Sequence, residues 1–487
     1  MQKIILFLIS LFGSVLFYAQ NTTGIIKDAT TKEPISYATI QISKNNGTIS
    51  NEEGKFHLNI KKSLKKDSLT VSFIGYKTVS FSLNNIPKEI FLEQDVINLE
   101  AVNLDEKQLS VNEIIQKAKE NYTNNVNGLK NLKQQIFIRS KSITNMKKFE
   151  MEINHAKNYD KKMIHRLNKL IDSIKQPMTR NTSTIFTDKL FKLYHQNKDS
   201  AKLQYEKATI LSNPNTDFSM EGIEKKLTKG FANLFKDKIF KIKILFFKVQ
   251  DSLKTDNLSK EKKSVVYPFS TLNNLKSLYK QSVYNNNSLL SEILNEKYYD
   301  YKITNNLFYN NEFVYEISYS PKRSKAKYKG KIYISDESFA VIKLDFKMLP
   351  NKKLEGKSMK WLGFAYKIYD WNGTLEFYKN DLGKYVPKYI NQSKKIYSYM
   401  SIPLKFIENT KNKNKLKFKL KNTFETLMQV QSEILFLNTQ PLSKTEYKKI
   451  KMKKEFPLDK LKKYNPEIWK KYNLLAPTES LLEFKAE

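Results

Sequence analysis

The chain has 487 residues, 85 of them basic and 49 acidic, for a net charge of +36 at neutral pH. Only four of the basic residues are arginine (139, 166, 180 and 323) and the lysines run through every segment, so no specific nucleic-acid recognition is expected; planar, bidentate binding of phosphate favours arginine. Cysteine is absent, which excludes disulfides and lipid attachment through an N-terminal cysteine, and the length suffices for two or three hydrophobic cores. Met1 to Gln20 pairs a basic flank at Lys3 with an apolar run from Ile4 to Phe17 and ends in Tyr18-Ala19-Gln20. This pattern predicts a signal peptide over 1–20, too short for a permanent span, and hence an exported protein of the periplasm or outer membrane with no transmembrane span in the mature chain.

Residues 21–95 alternate with a period of two. Phe56, Leu58 and Ile60 interleave with polar residues, as do Leu69, Val71 and Phe73, then Val79, Phe81 and Leu83. Turn chemistry separates the runs, at Asp28 to Pro34, Asn45-Asn46-Gly47, Glu53-Gly54 and Gly75. The order of Gly24, Ile26, Asp28, Thr31, Pro34, Ile35, Ala38, Ile40 and Ile42, then Gly47, Thr48, Ser50, Asn51, Glu53, Gly54 and Phe56, then Ser72 to Tyr76, resembles the carboxypeptidase-like regulatory domain. The resemblance implies a transthyretin-like β-sandwich without catalytic residues, in which these positions build turns.

Residues 96–109 read as a linker; Val96 to Val102 resembles the exit from this domain in TonB-dependent receptors. Ser110 and Glu113 form a capping-box pattern, and Ile114, Ala118 and Tyr122 recur on one helical face. A strand is expected over 136–140. Residues 110–295 otherwise read as a helix-rich region, with a helix from Phe149 to Lys175 stopping before Pro177 and an apolar patch from Phe231 to Phe246. From 296 to 440 the period returns to two, predicting an antiparallel sheet. Its pattern around YEISY and GKIYISDESFAVIKLDF resembles an uncharacterised exported envelope family of Gram-negative cells, and its sheet resembles the curved half-barrel of periplasmic lipoprotein carriers. Residues 441–487 are expected to form a helical tail packing on that sheet, with Asn465 as N-cap, Pro466 at the first helical position and Trp469 as an anchor. The fold class expected is therefore multidomain: an N-terminal all-β transthyretin-like sandwich, then an α+β domain with an antiparallel meander sheet and a helix-rich middle.

Chemistry is sparse. The four histidines (57, 155, 165 and 195) lack metal-site spacing, and His155, His165 and His195 read as solvated surface residues. Gly356-Lys357-Ser358 lacks the first glycine of a phosphate loop, and Ser63 with Lys66 copies a penicillin-recognising motif by chance in so lysine-rich a chain. Asp300, Glu312, Glu316, Asp336 and Glu337 read as solvated carboxylates. No catalytic residue, metal or cofactor is implied. The candidate surface is instead an apolar sheet face of Ile342, Leu344, Phe346, Leu362, Phe364 and Tyr366, expected to lie under the helices of the middle region, the stripes Met163–Ile174 and Phe231–Phe246 among them. A non-catalytic binding or scaffold protein, with lipid, glycan or another outer-membrane protein as partner, is the reading these features favour. A lipid or lipoprotein carrier with a concave apolar sheet and an envelope enzyme are the alternatives.

Overall fold

The computed structural model describes residues 20–43, 46–60, 68–97, 109–126, 130–158, 161–197, 199–213, 230, 233–235, 238–244, 247–254, 264–282, 288–309, 312–352, 354–380, 383–411 and 414–486. The signal peptide up to residue 19, most of the linker, Ser63 and Lys66, and Phe231, Leu245 and Phe246 lie outside these residues. The chain divides into two compact units, one from Met1–Ala101 with Asn306–Phe313 and Asn465–Leu482, the other from Val102–Asn305, Val314–Tyr464 and Glu483–Glu487.

In the first unit β1 (Gln20–Asp28) lies between β4 (Lys55–Ile60) and β7 (Glu89–Leu92). β2 (Thr39–Ser43), β3 (Asn46–Ile49), β5 (Ser68–Ser72) and β6 (Val79–Ser82) form the second sheet, in the order β3-β2-β5-β6. Alternation works as expected: Ile26, Ile40, Phe56, Leu58, Leu69, Val71, Ile90 and Leu92 form one core, while Phe73, just past the end of β5, is only partly buried. Gly24 has no room for a side chain, since a Cβ there would stand 2.6 Å from the Phe56 ring. β8 (Val96–Ile97) pairs with Leu307 and Asn306.

The tail departs from expectation. Residues 465–482 belong with the sandwich instead of the large sheet. The Thr48 hydroxyl donates to the Leu474 carbonyl (3.0 Å), the Asn59 backbone N–H donates to Asn473 Oδ1 (2.6 Å), and Lys55 pairs with Glu479 (2.6 Å). Asn465 does cap, accepting from the Glu467 N–H, but only a single turn, Pro466–Ile468, follows. Trp469 is buried.

The second unit is built on one long sheet, antiparallel except for one short edge strand. Its strands are β9 (Leu132–Lys157), β10 (Thr182–His195), β11 (Ala201–Ser212), β12 (Ile239–Ile244), β13 (Phe247–Lys254), β15 (Tyr299–Tyr309), β16 (Glu312–Pro321), β17 (Tyr328–Ser335), β18 (Val341–Met348), β19 (Leu354–Met359), β20 (Phe364–Lys379), β21 (Tyr385–Met400), β22 (Leu404–Glu408), β23 (Lys417–Pro441) and β25 (Asp459–Leu461); β14 (Val265–Val266) pairs separately with β24 (Phe456–Pro457). The order is β25-β11-β10-β9-β23-β21-β20-β18-β17-β16-β15; off this path β19 pairs with β20, β22 with β23, β12 with β22 and β13 with β12. Its helices are α1 (Val111–Val126), α2 (Lys161–Arg180), α3 (Pro268–Ser282), α4 (Leu289–Ile293) and α5 (Lys444–Lys449). The capping box at α1 is present, with Ser110 N–H donating to Glu113 (2.7 Å) and Glu113 N–H to Ser110 (3.3 Å). The middle region thus carries helices, but also the long strands β9 to β11. Phe149 and Met151 stand on β9, not on a helix, and α2 runs past position 177 to Arg180.

Candidate functional site

The signature residues of the sandwich are bonded to one another. Asp28 Oδ1 accepts from the N–H groups of Thr30 (2.7 Å) and Thr31 (2.8 Å), and its other oxygen accepts from the Tyr76 hydroxyl (2.9 Å) and the Gln94 amide (2.8 Å). These bonds, the Thr31 N–H foremost, hold the carboxyl well below the usual range. Asn51 Oδ1 accepts from the N–H groups of Glu53 and Lys55 (both 2.9 Å), tying off the turn whose Gly54 sits at φ +74°. The motif is turn chemistry, and nothing in it is left over for a ligand.

Chemistry on the large sheet is likewise internal. The registers set Asp188, Arg139, Glu433, Asn391, Thr374, Asp345 and Lys331 side by side across seven strands, on one face. Arg139 donates through Nε (3.0 Å) and Nη2 (2.8 Å) to the two oxygens of Asp188, and through Nη2 to the Tyr464 hydroxyl (3.2 Å). The Tyr389 hydroxyl donates to Glu433 (3.0 Å), and Thr374 to Asp345 (2.6 Å). Glu316 is buried, not solvated, and receives Thr304 (2.6 Å), Asn305 (2.9 Å) and Lys331 (2.9 Å). A polar cleft of about 380 Å³ lined by Lys133, Gln134, Gln135, Lys192, Tyr194 and Glu446, among others, also neutralises its own charges: Lys133 pairs with Glu446 (3.0 Å) and Lys192 with Glu206 (3.1 Å).

The histidines are dispersed. His165 is exposed on α2 and His57 is half-buried on β4. His195, read as a surface residue, is buried at the end of β10 beside Tyr279, with neither ring nitrogen hydrogen-bonded; burial, then the nearby charge of Lys276, pulls its pKa down to about 4. Among the described residues no three His, Asp or Glu side chains are placed to hold a metal ion.

The opposite face of the sheet is apolar. Ile434, Ile390, Leu375, Leu344, Ile332 and Ile317 run across it as adjacent partners, all buried. Tyr279 of α3 meets Phe436 on this side, and α1 packs against β21. The candidate set divides here. Ile342, Leu344 and Phe346 are buried, with Phe346 edge-on to Trp371 (5.0 Å). Phe364 and Tyr366, at the far end of β20, and Leu362, in the turn before it, are exposed. Even spacing along β21 shows that it is one face all the same: Met400 and Ser398 lie opposite Phe364 and Tyr366, while Lys394 and Ile390 lie opposite Trp371 and Leu375. The described residues of the named stripes pack elsewhere: Leu167, Ile171 and Ile174 of α2 gather with Phe235 and with Phe149, Phe240, Phe406, Phe418 and Phe424 on β9, β12, β22 and β23.

At the open end a single turn, Lys360–Leu362, links β19 to β20. Trp361 at its centre is 82% exposed. Of the nine exposed large hydrophobic side chains among the described residues, four are Trp361, Leu362, Phe364 and Tyr366, so they form a patch instead of a scatter. Lys360 arches over the rings of Tyr397 and Tyr399 (5.6 and 5.2 Å). Gly363, at φ +84°, accepts a hydrogen bond from the Ser401 N–H (2.7 Å), which sets the 401–403 turn beside Trp361. Sequence reading found Leu362, Phe364 and Tyr366 but not Trp361 or Lys360, which lie in a turn where periodicity says nothing.

The first unit is thus a two-sheet module whose distinctive residues maintain its own turns, the hallmark of a non-catalytic accessory domain. Residues 22–106 match the model of the CarboxypepD_reg-like domain, and the N-terminal module is a domain of that kind. No curated protein matches the chain. A solved Bacteroides fragilis protein of unknown function, thought to be membrane-associated, aligns over 86% of this chain and 98% of its own at 9% identity, with a TM-score of 0.13, an overlap too slight to carry an argument.

Proposed function

We propose that this protein is a non-catalytic binding protein, exported to the cell envelope, which presents the Trp361 end of its large sheet to a partner. The observation that carries this reading is the contrast within one sheet face: buried apolar residues around Leu344, and an aromatic patch around Trp361 left in water. The CarboxypepD_reg-like module supports a binding role, since such domains are regulatory instead of catalytic. Cross-linking in cells tests the reading. A photoreactive group replacing Trp361 is expected to form adducts with an envelope component, and the same group replacing Lys331, exposed on the opposite face, is not. Equal labelling from both positions, or none from 361, refutes it.

A further inference from the structure

We infer that the polar cleft over β9, β10 and β23 binds a short neutral saccharide, at a site separate from the Trp361 end. Register sets its floor: Lys192 lies opposite Gln135, and Tyr194 opposite Lys133, whose other neighbour is Gln440 of β23. Lys192 and Gln135 stand four residues from Asp188 and Arg139 along unbroken pairing, so the cleft lies on the polar face, opposite the face that carries Phe364. Its wall is α5, which brings in Glu446. That helix is pinned to the sheet. Tyr194, Leu442, Tyr447 and Ile450 form a small core, and Lys202 donates to the carbonyls of Tyr447 (2.9 Å) and Ile450 (2.8 Å). The cleft is therefore formed before any ligand arrives, and its volume of about 380 Å³ is that of a small-ligand site.

Charge decides which ligand suits it. The chain carries +36, yet the two lysines of this cleft are matched, Lys133 by Glu446 and Lys192 by Glu206, and Gln135 Nε2 donates to Glu206 as well (2.8 Å). The walls present donors and acceptors with their charges balanced, which disfavours a phosphate or carboxylate ligand, and their polar side chains disfavour an acyl chain. Two amides stand unengaged. Among the described residues the side chains of Asn438 and Gln440 make no hydrogen bond, and both residues are exposed at the cleft. Asn438 is the extra residue of a bulge, where the register slips between Leu437 and Thr439, and its φ of +23° is strained. The bulge thus adds an amide to the cleft at a cost in backbone conformation. A carboxamide donates and accepts in one plane, and neighbouring sugar hydroxyls each do both, so amides beside balanced lysine–glutamate pairs match a saccharide. An extended peptide matches less well, since it needs pockets for its alternate side chains.

Saturation-transfer difference NMR on the full chain provides the test. The probes are maltose, cellobiose and N,N′-diacetylchitobiose, with inorganic phosphate and trialanine as competitors. At least one disaccharide is expected to bind, and neither competitor to displace it. Asn438→Gly and Gln440→Ala are each expected to weaken that binding about tenfold, the loss of an amide's hydrogen bonds. Glycine accepts the backbone conformation at 438 and both positions are exposed, so neither variant should lower the melting temperature. Trp361→Ser should leave saccharide binding unchanged. Failure of all three disaccharides to bind, displacement by phosphate or trialanine, binding unaltered by both cleft variants, or binding lost with Trp361→Ser overturns the inference.

Discussion

The two ends of one sheet face differ in a way that residue type alone does not explain. Around Leu344 the apolar side chains are buried, with Tyr328, Phe346 and Trp371 meeting edge to face. Around Phe364, on the same side of the sheet, they meet water. Between the ends stands Lys394, its amine over the Trp371 ring (4.7 Å) and pulled down to about 8 by burial. A one-sided sheet must cover its apolar face to fold, so an uncovered end is a departure from folding economy. Where such a departure is concentrated in four neighbouring side chains, function is the natural reason for it.

The sharpest way to break this contrast is Leu344→Asp. The side chain is fully buried, and an unpaired carboxylate there is expected to cost more than about 4 kcal/mol and unfold the sheet unit, seen as loss of its far-UV spectrum. Phe364→Asp at the other end should leave the fold intact. Next in size is Arg139→Met. It strands Asp188 without its partner and should cost about 3–5 kcal/mol in denaturant unfolding, most of which is recovered when Asp188→Leu is added. Phe56→Ala in the sandwich should cost about 3–5 kcal/mol by the same measure, and Phe73→Ala clearly less, because only the former ring is fully buried.

His195 gives a smaller, pH-dependent effect. Its folded pKa lies below its ordinary value of 6.5, so its contribution is complete above that pH and is lost as pH falls from 6.5 towards 4, by up to about 3 kcal/mol. Phe at this position should remove that part of the acid slope in a pH series of melts. Smallest of all is Trp361→Ser, expected to alter stability by no more than about 0.5 kcal/mol while weakening attachment at this end.

The sandwich was readable because its signals are local. Asp28 and Thr31, or Asn51 and Gly54, lie a few residues apart, and their bonds close within one turn. The strands from Glu312 to Lys379 were readable by alternation. β9 was not: its Phe149, Met151 and Ile153 do alternate, but many polar neighbours hide the period, and joined to the true helical stripe of α2 they mimic one long helix. Pro177 then suggested a stop that packing overrides. The Arg139–Asp188 pair and the binding of the tail to the sandwich join residues 49 and more than 400 apart, for which the sequence carries no local mark. The candidate face was half legible, since alternation assigns Leu344 and Phe364 to one side but is silent on what covers each.

The contrast is tested most directly by acrylamide quenching of two single-tryptophan variants. One keeps Trp361, with Trp371→Phe and Trp469→Phe; the other keeps Trp371, with Trp361→Phe and Trp469→Phe. Exposure of 82% against 5% predicts red-shifted, strongly quenched emission from Trp361 and blue-shifted, protected emission from Trp371. Equal quenching of the two would contradict the division of the face into a covered and an open end.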